Sequence, residues 1–100
     1  IVYPEVYSDN YVTETTIFSA EQIEKVYDIY LGDFINVTAI DMYGNPIGEE
    51  VLEIVFDDST IILKPKQPVN IELIIEGNYD DYSFWLLFEQ YGDGYKMIWY

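Results

Sequence analysis

ETTIFSAEQIEKVYDIYLG, residues 14–32, is the stretch that decides the fold. Its opening residues alternate and include several β-branched and aromatic side chains, which is typical of a strand. They lead without a break into the clearest helical pattern in the chain. We therefore predict a strand that passes directly into a helix over about residues 20–31, which Gly32 ends in a left-handed conformation.

The start of this helix carries two local signals. Ser19 and Gln22 have the spacing of a capping box, in which each side chain accepts a hydrogen bond from a backbone N–H of the first turn. Phe18 and Ile23 have the spacing of a hydrophobic staple. An apolar stripe at helical spacing predicts the buried face of the helix, and it consists of Ala20, Ile23, Val26, Tyr27, Tyr30 and Leu31.

The rest of the chain reads as strands and turns. We predict an edge strand over residues 11–18 and an exposed loop over 64–68, and we place a hairpin joined by Gly92-Asp93-Gly94 near the sheet centre, under the helix. The other predicted strands cover residues 34–43, 47–56, 60–63, 69–76, 83–91 and 95–100. The predicted class is α+β, with a twisted antiparallel β-sheet and one amphipathic helix packed on one face, in a single domain of residues 1–100.

Composition excludes much of the usual chemistry. The chain has no histidine and no cysteine, which removes the commonest general base, the thiolate nucleophile and the commonest metal ligand. Neighbouring carboxylates such as Asp57 and Asp58 lie in predicted turns, and no phosphate-binding loop or framed nucleophile accompanies them. We therefore predict no enzyme activity, no cofactor and no dedicated metal site, although acidic loops keep a cation-binding role open as an alternative.

Charge is the strongest compositional signal. Nineteen acidic residues against four lysines and no arginine give a formal net charge of −15. Such a chain repels nucleic acid and anionic membranes, so we expect its partner to be a basic protein. Its apolar runs are too short to span a bilayer, and no signal segment opens it, while the absent initiator Met suggests a processed N-terminus.

A family resemblance makes this expectation more specific. The segment ETTIFSAEQIEKV (residues 14–26) resembles the edge strand and following helix of the phage uracil-DNA glycosylase inhibitors. WLLFEQ (85–90), the Gly-Asp-Gly turn and KMI (96–98) resemble the closing hairpin of that family, and residues 33–41 its next strand. Gln22 and Lys25 depart from the pattern, because the family has acids there.

The resemblance implies a protein mimic of DNA whose edge strand enters the DNA groove of the enzyme. Glu14 and Thr15 would then mimic phosphates, and Glu21 and Glu24 would be further acids. An apolar pocket between helix and sheet would capture an enzyme side chain. The resulting partner-binding set is Glu14, Thr15, Thr16, Ile17, Phe18, Glu21, Ile23, Glu24, Val26 and Tyr27, and the residues bordering the pocket are Ile17, Phe18, Ile23, Val26 and Tyr27.

The expected function is therefore an acidic inhibitor that occupies the groove of a DNA-binding enzyme, in the first place uracil-DNA glycosylase, in the cytoplasm of a phage-infected host cell. A basic groove that attracts phosphates also attracts a fixed set of carboxylates. The alternatives are an immunity-like or adaptor module that binds a basic protein, and a cation-binding domain of a larger exported protein.

Overall fold

The computed structural model describes residues 14–99, which form seven strands and one helix. In chain order these are β1 (Thr15–Ser19), α1 (Ala20–Tyr27), β2 (Phe34–Ile40), β3 (Leu52–Phe56), β4 (Thr60–Pro65), β5 (Val69–Gly77), β6 (Asp81–Tyr91) and β7 (Gly94–Trp99). Antiparallel strands accompanied by one short helix agree with the predicted α+β class in its coarse form. The predicted strand residues 11–13 lie outside this description.

The strands form two sheets, so the prediction of one sheet is wrong. One sheet has the order β1-β4-β3 and the other has the order β2-β5-β6-β7. The β3–β4 hairpin pairs with β1 as its third strand. From β1 the chain crosses through α1 and residues 28–33 to β2, the first strand of the second sheet. Buried side chains of both sheets belong to a single hydrophobic cluster. The two sheets therefore share one core.

Strand β5 follows the predicted alternation. Ile71, Leu73 and Ile75 are fully buried, whereas Glu72 is half-buried and Glu76 is exposed on the opposite face. Each such apolar side chain stabilises the fold by about 1.5–3 kcal/mol relative to its exposed state. The period-two pattern thus fixes which face of this strand meets the core.

The β6–β7 hairpin forms as predicted but lies at a different place in the sheet. Tyr91 pairs with Gly94 across the tight turn, and Gly92 has a φ of 60°, a value that glycine adopts without steric cost. The predicted central position is wrong, because β7 is the last strand of the order and β6 its only neighbour among the described strands. Both strands carry apolar and aromatic residues on both faces, a pattern that is typical of central strands covered on both sides, and this pattern led to the wrong prediction.

The helix begins as predicted and ends earlier. Ser19 accepts from the Gln22 amide at 3.2 Å and the Gln22 side chain accepts from the Ser19 amide at 3.0 Å, which completes the capping box. The helix stops at Tyr27 because its C-cap is Asp28, which takes the left-handed conformation with a φ of 54°. Gly32 is left-handed as well, with a φ of 70°, but it lies in the loop beyond the helix end. Asp tolerates this conformation better than most residues. Tyr30 therefore lies beyond the helix.

A bulge alters the faces of β1. The register of β1 against β4 shifts between Thr16 and Ser19, so the two consecutive residues Ile17 and Phe18 are both buried. A strand without a bulge would expose one of them. As predicted, β1 is an edge strand, since β4 is its only partner among residues 14–99.

Other strand boundaries differ from the predictions as well, and β2 ends at Ile40, three residues before its predicted end at residue 43. Lys64 and Pro65 belong to β4, and Pro65 is buried, so the predicted exposed loop is confined to residues 66–68. Residues 47–51 form turns and an irregular connection before β3. There the Gly48 carbonyl accepts from the amides of Val51 and Leu52, so the chain folds back on itself where an extended strand was predicted.

Replacing Ser19 by Ala should lower the free energy of unfolding by about 1 kcal/mol, because the capping oxygen is lost. The matched control is Ser83→Ala at an exposed position of β6, where the hydroxyl donates to Glu72 at 3.3 Å. That change should stay within about 0.5 kcal/mol of the parent. Urea unfolding of both variants measures the difference, and equal stability of the two would argue against a stabilising cap.

Candidate functional site

Three of the predicted partner-binding residues are available at the surface. Glu14 and Thr16 are exposed beside and on β1, and Glu21 is exposed on the first turn of α1. The direct passage of β1 into α1 keeps these residues on one continuous strand–helix unit. They can contact a partner without any change in the fold.

Four other predicted residues face inward. Ile17, Phe18 and Ile23 are buried, and Ile23 has no exposed surface. The Thr15 hydroxyl oxygen is buried too and has no hydrogen-bond partner within the described residues. The predicted phosphate-mimicking role of Thr15 and the predicted pocket border of the three apolar residues therefore do not fit this conformation, because the bulge and the staple turn these side chains into the core.

The predicted pocket between helix and sheet is filled by aromatic contacts. The Tyr27 ring lies 4.4 Å from the Tyr82 ring and 6.0 Å from the Phe84 ring, measured between centroids. Val26 is half-buried beside them. An apolar hollow of about 190 Å³ lies elsewhere, between β2 and β3. Its apolar lining includes Val37, Ala39, Ile47, Leu52 and Ile54.

Glu24 was predicted as a partner-facing acid, but its carboxylate is used internally. One oxygen accepts hydrogen bonds from the Leu31 amide at 2.7 Å and from the Gly32 amide at 3.2 Å. Hydrogen bonds to a charged acceptor are among the stronger ones in proteins. Glu24 therefore holds the loop that follows α1, which does not fit its predicted role as a partner-facing acid.

Among residues 14–99, the charge around Glu14 is nearly balanced. Lys64 lies 3.5 Å from Glu14, and Lys66 lies 3.8 Å from Glu53. Lys64 is also directly opposite Glu53 in the register of β3 and β4. Two lysines thus stand beside two glutamates on this outer face, although exposed ion pairs of this kind hold their side chains only weakly.

Acidic side chains dominate the opposite end of the molecule. Three loops meet there, because Phe34 donates to the Asp58 carbonyl at 3.4 Å and Asn78 donates to the Asp33 carbonyl at 3.2 Å. We call residues 28–33, 57–59 and 76–81 the acidic end. It contains no lysine, and its carboxylates belong to Asp28, Asp33, Asp57, Asp58, Glu76, Asp80 and Asp81.

Two exposed tyrosines stand among these carboxylates, and sequence reasoning assigned no function to them. Tyr30 is 60% exposed and Tyr79 is 69% exposed. Their rings are stacked, with centroids 4.9 Å apart and planes inclined by 28°. Tyr30 had been assigned to the buried helix face. In the structure Ile29 is half-buried, Tyr30 exposed and Leu31 buried, so Tyr30 does not belong to a buried helix face.

Asp57 and Asp41 have structural roles in turns. The Ser59 amide, followed by the Thr60 amide, donates to the Asp57 carboxylate and holds its pKa below the usual value. The Asn45 amide, with further help from that of Tyr43, does the same for the pKa of Asp41. A lowered pKa stabilises the fold above the unfolded-state value of about 3.9, and this contribution is lost as the pH falls through the folded-state pKa.

Residues 14–99 contain no group of three or more carboxylates suited to holding a metal ion, and no helix there is long and apolar enough to cross a membrane. The chemistry that the site offers is the binding of cationic groups by exposed carboxylates and aromatic rings. Comparisons with protein-family models, with curated proteins and with solved structures found no match.

Proposed function

We propose that this protein is a non-catalytic, acidic inhibitor that occupies the DNA-binding groove of an enzyme. The observation that carries the proposal is the placement of its charge: every Asp and Glu side chain in residues 14–99 is at least partly exposed. Residues 14–99 hold 17 of the 19 acidic residues and all four lysines, so a formal net charge of −13 is displayed outward from a frame of paired strands. An array fixed in this way loses little conformational entropy on binding.

The physical basis is competition for the same cations. A DNA-binding groove presents Lys and Arg side chains that neutralise phosphates and release counterions. Carboxylates held on strands and tight turns can contact the same side chains, and long-range attraction speeds the encounter. The protein would therefore exclude DNA from the groove without any base-specific contact.

Uracil-DNA glycosylase is the enzyme that the resemblance favours, and the cytoplasm of a phage-infected cell would be the place of action. Support comes from the strand–helix unit of β1 and α1, which presents Glu14, Thr16 and Glu21 at the surface. In the proposed complex these three residues contact the basic groove. Glu24 stabilises the loop after α1 by accepting hydrogen bonds from two backbone amides.

An immunity-like or adaptor module is the second candidate, and the acidic end favours it. Exposed tyrosines surrounded by carboxylates resemble the centre of a protein–protein interface, where Tyr is enriched. Such a module would bind a basic protein that is not required to bind DNA. Binding to a basic partner without any effect on DNA binding by that partner would distinguish it from the inhibitor.

The test of the proposed function is uracil excision by a purified bacterial uracil-DNA glycosylase. We expect near-complete inhibition at about one equivalent of the protein. A fifteen-residue polyglutamate peptide matches the formal net charge of −15 and is the control for non-specific polyanion effects; it should need a far higher concentration. Undiminished excision at a large molar excess of the protein would exclude this enzyme as the target.

A further inference from the structure

The stacked pair of Tyr30 and Tyr79 lies at the surface, with Tyr30 in the loop after α1 and Tyr79 in the turn between β5 and β6. The two rings remain 60% and 69% exposed. Stacking at a centroid distance of 4.9 Å leaves much of each ring open to a partner. The pair therefore forms an aromatic platform.

Hydrogen bonds from the backbone amides of both tyrosines join the two loops that hold the platform. The Tyr79 amide donates to the Leu31 carbonyl at 3.2 Å, and the Tyr30 amide donates to an Asp80 carboxylate oxygen at 3.4 Å. Gly32 lies directly against the Tyr79 ring, where a Cβ atom would come within 2.9 Å of Cδ2. The rings are thus presented in a fixed arrangement, which lowers the entropic cost of binding.

The surroundings of the platform define the charge of its occupant. Asp80 lies within hydrogen-bonding distance of the Tyr30 backbone, and Asp33 belongs to the loop that Asn78 contacts. The sequence of the acidic end supplies no lysine to offset these charges. A planar cation that can stack on a ring and bond to a carboxylate at its edge satisfies both features.

We infer that the Tyr30–Tyr79 platform is a docking site for an arginine side chain of a protein partner. The guanidinium group is planar and weakly hydrated, stacks on aromatic faces and donates in parallel to carboxylates. A lysine ammonium is a compact and strongly hydrated point charge, so it gains less from the rings. The site lies outside the predicted binding set and does not require the partner to be uracil-DNA glycosylase.

The test titrates hexa-arginine and hexa-lysine peptides, which carry equal charge, into the isotope-labelled protein and follows backbone amide shifts by NMR. We expect hexa-arginine to bind roughly threefold more tightly than hexa-lysine. Its largest shifts should fall on residues 30–33 and 78–80. Equal affinities of the two peptides, or shifts confined to other regions, would overturn the inference without any need for a variant.

Variants then assign the preference to the rings. Tyr30→Ala and Tyr79→Ala should each remove most of the arginine preference, while Tyr30→Phe and Tyr79→Phe, which keep the rings, should retain it. Tyr43→Ala is the matched control, since Tyr43 is 89% exposed in a different loop. Loss of the preference in the Tyr43 variant, or its persistence in both platform alanine variants, would contradict the assignment. Failure of uracil-DNA glycosylase inhibition would leave this result unaffected.

Discussion

Replacing Glu14 by Lys should weaken binding to a basic DNA-binding enzyme by several kcal/mol, because a cation would then stand where the proposed function places a phosphate mimic. The effect on folding should be small. Glu14 is exposed, and the change removes one surface ion pair to Lys64, which is worth at most about 1 kcal/mol. Calorimetric titration gives the affinity, and thermal unfolding gives the stability.

Glu53→Lys is the matched control for that experiment. It changes the net charge by the same amount, and Glu53 lies on the same sheet and beside the same lysine as Glu14. Glu53 belongs to β3, however, at the far edge of the sheet from β1. Equal weakening by the two variants would assign the effect to overall charge, and unchanged affinity of Glu14→Lys would remove β1 from the interface.

Replacing Ile23 by Ala should lower the free energy of unfolding by about 2–5 kcal/mol, because it opens a cavity in the shared core. Ile23 has no exposed surface. For a domain of this size, the melting temperature should fall by at least about 8 °C. A residue bordering an open partner pocket would behave differently, since its truncation would reduce binding and leave stability nearly unchanged.

Ile35→Ala makes the same chemical change on a surface site. Ile35 lies on β2 and is 57% exposed, so the cost should stay within about 0.5 kcal/mol. Thermal and urea unfolding of both variants test the core role of Ile23. A small loss of stability in Ile23→Ala together with a large loss of affinity would restore the pocket interpretation.

Local signals in the sequence were enough to predict the elements with local causes. The capping box needs only Ser19 and Gln22, and the β6–β7 turn needs only its glycines. The alternation along β5 defines its buried face by itself. These features depend on residues a few positions apart, and the structure contains all three.

The elements that depend on distant contacts were not predictable in the same way. The loop after α1 depends on the Glu24 carboxylate, which accepts hydrogen bonds from two amides seven and eight residues further on. The division into two sheets depends on β1 pairing with β4, and alternation does not specify a partner strand. The predicted helix was consequently too long and the predicted sheet too large.

The same distinction applies to the candidate site. Composition correctly predicted an acidic surface, but it did not indicate where the charge would be offset. Lys64 neutralises part of the charge near Glu14, whereas the acidic end brings together three loops that are far apart in sequence. The Tyr30–Tyr79 stack joins residues 49 positions apart, and no local pattern could have predicted it.

The most direct test of DNA-groove occupancy is displacement of bound DNA. A fluorescent duplex bound to uracil-DNA glycosylase would be titrated with the protein while anisotropy is followed. We predict that the anisotropy falls to the value of free DNA at about one equivalent of the protein per enzyme molecule. The apparent affinity of the protein for the enzyme should weaken as the DNA concentration is raised. A complex that contains enzyme, DNA and this protein together, or an unchanged anisotropy at large excess, would contradict occupancy of the groove.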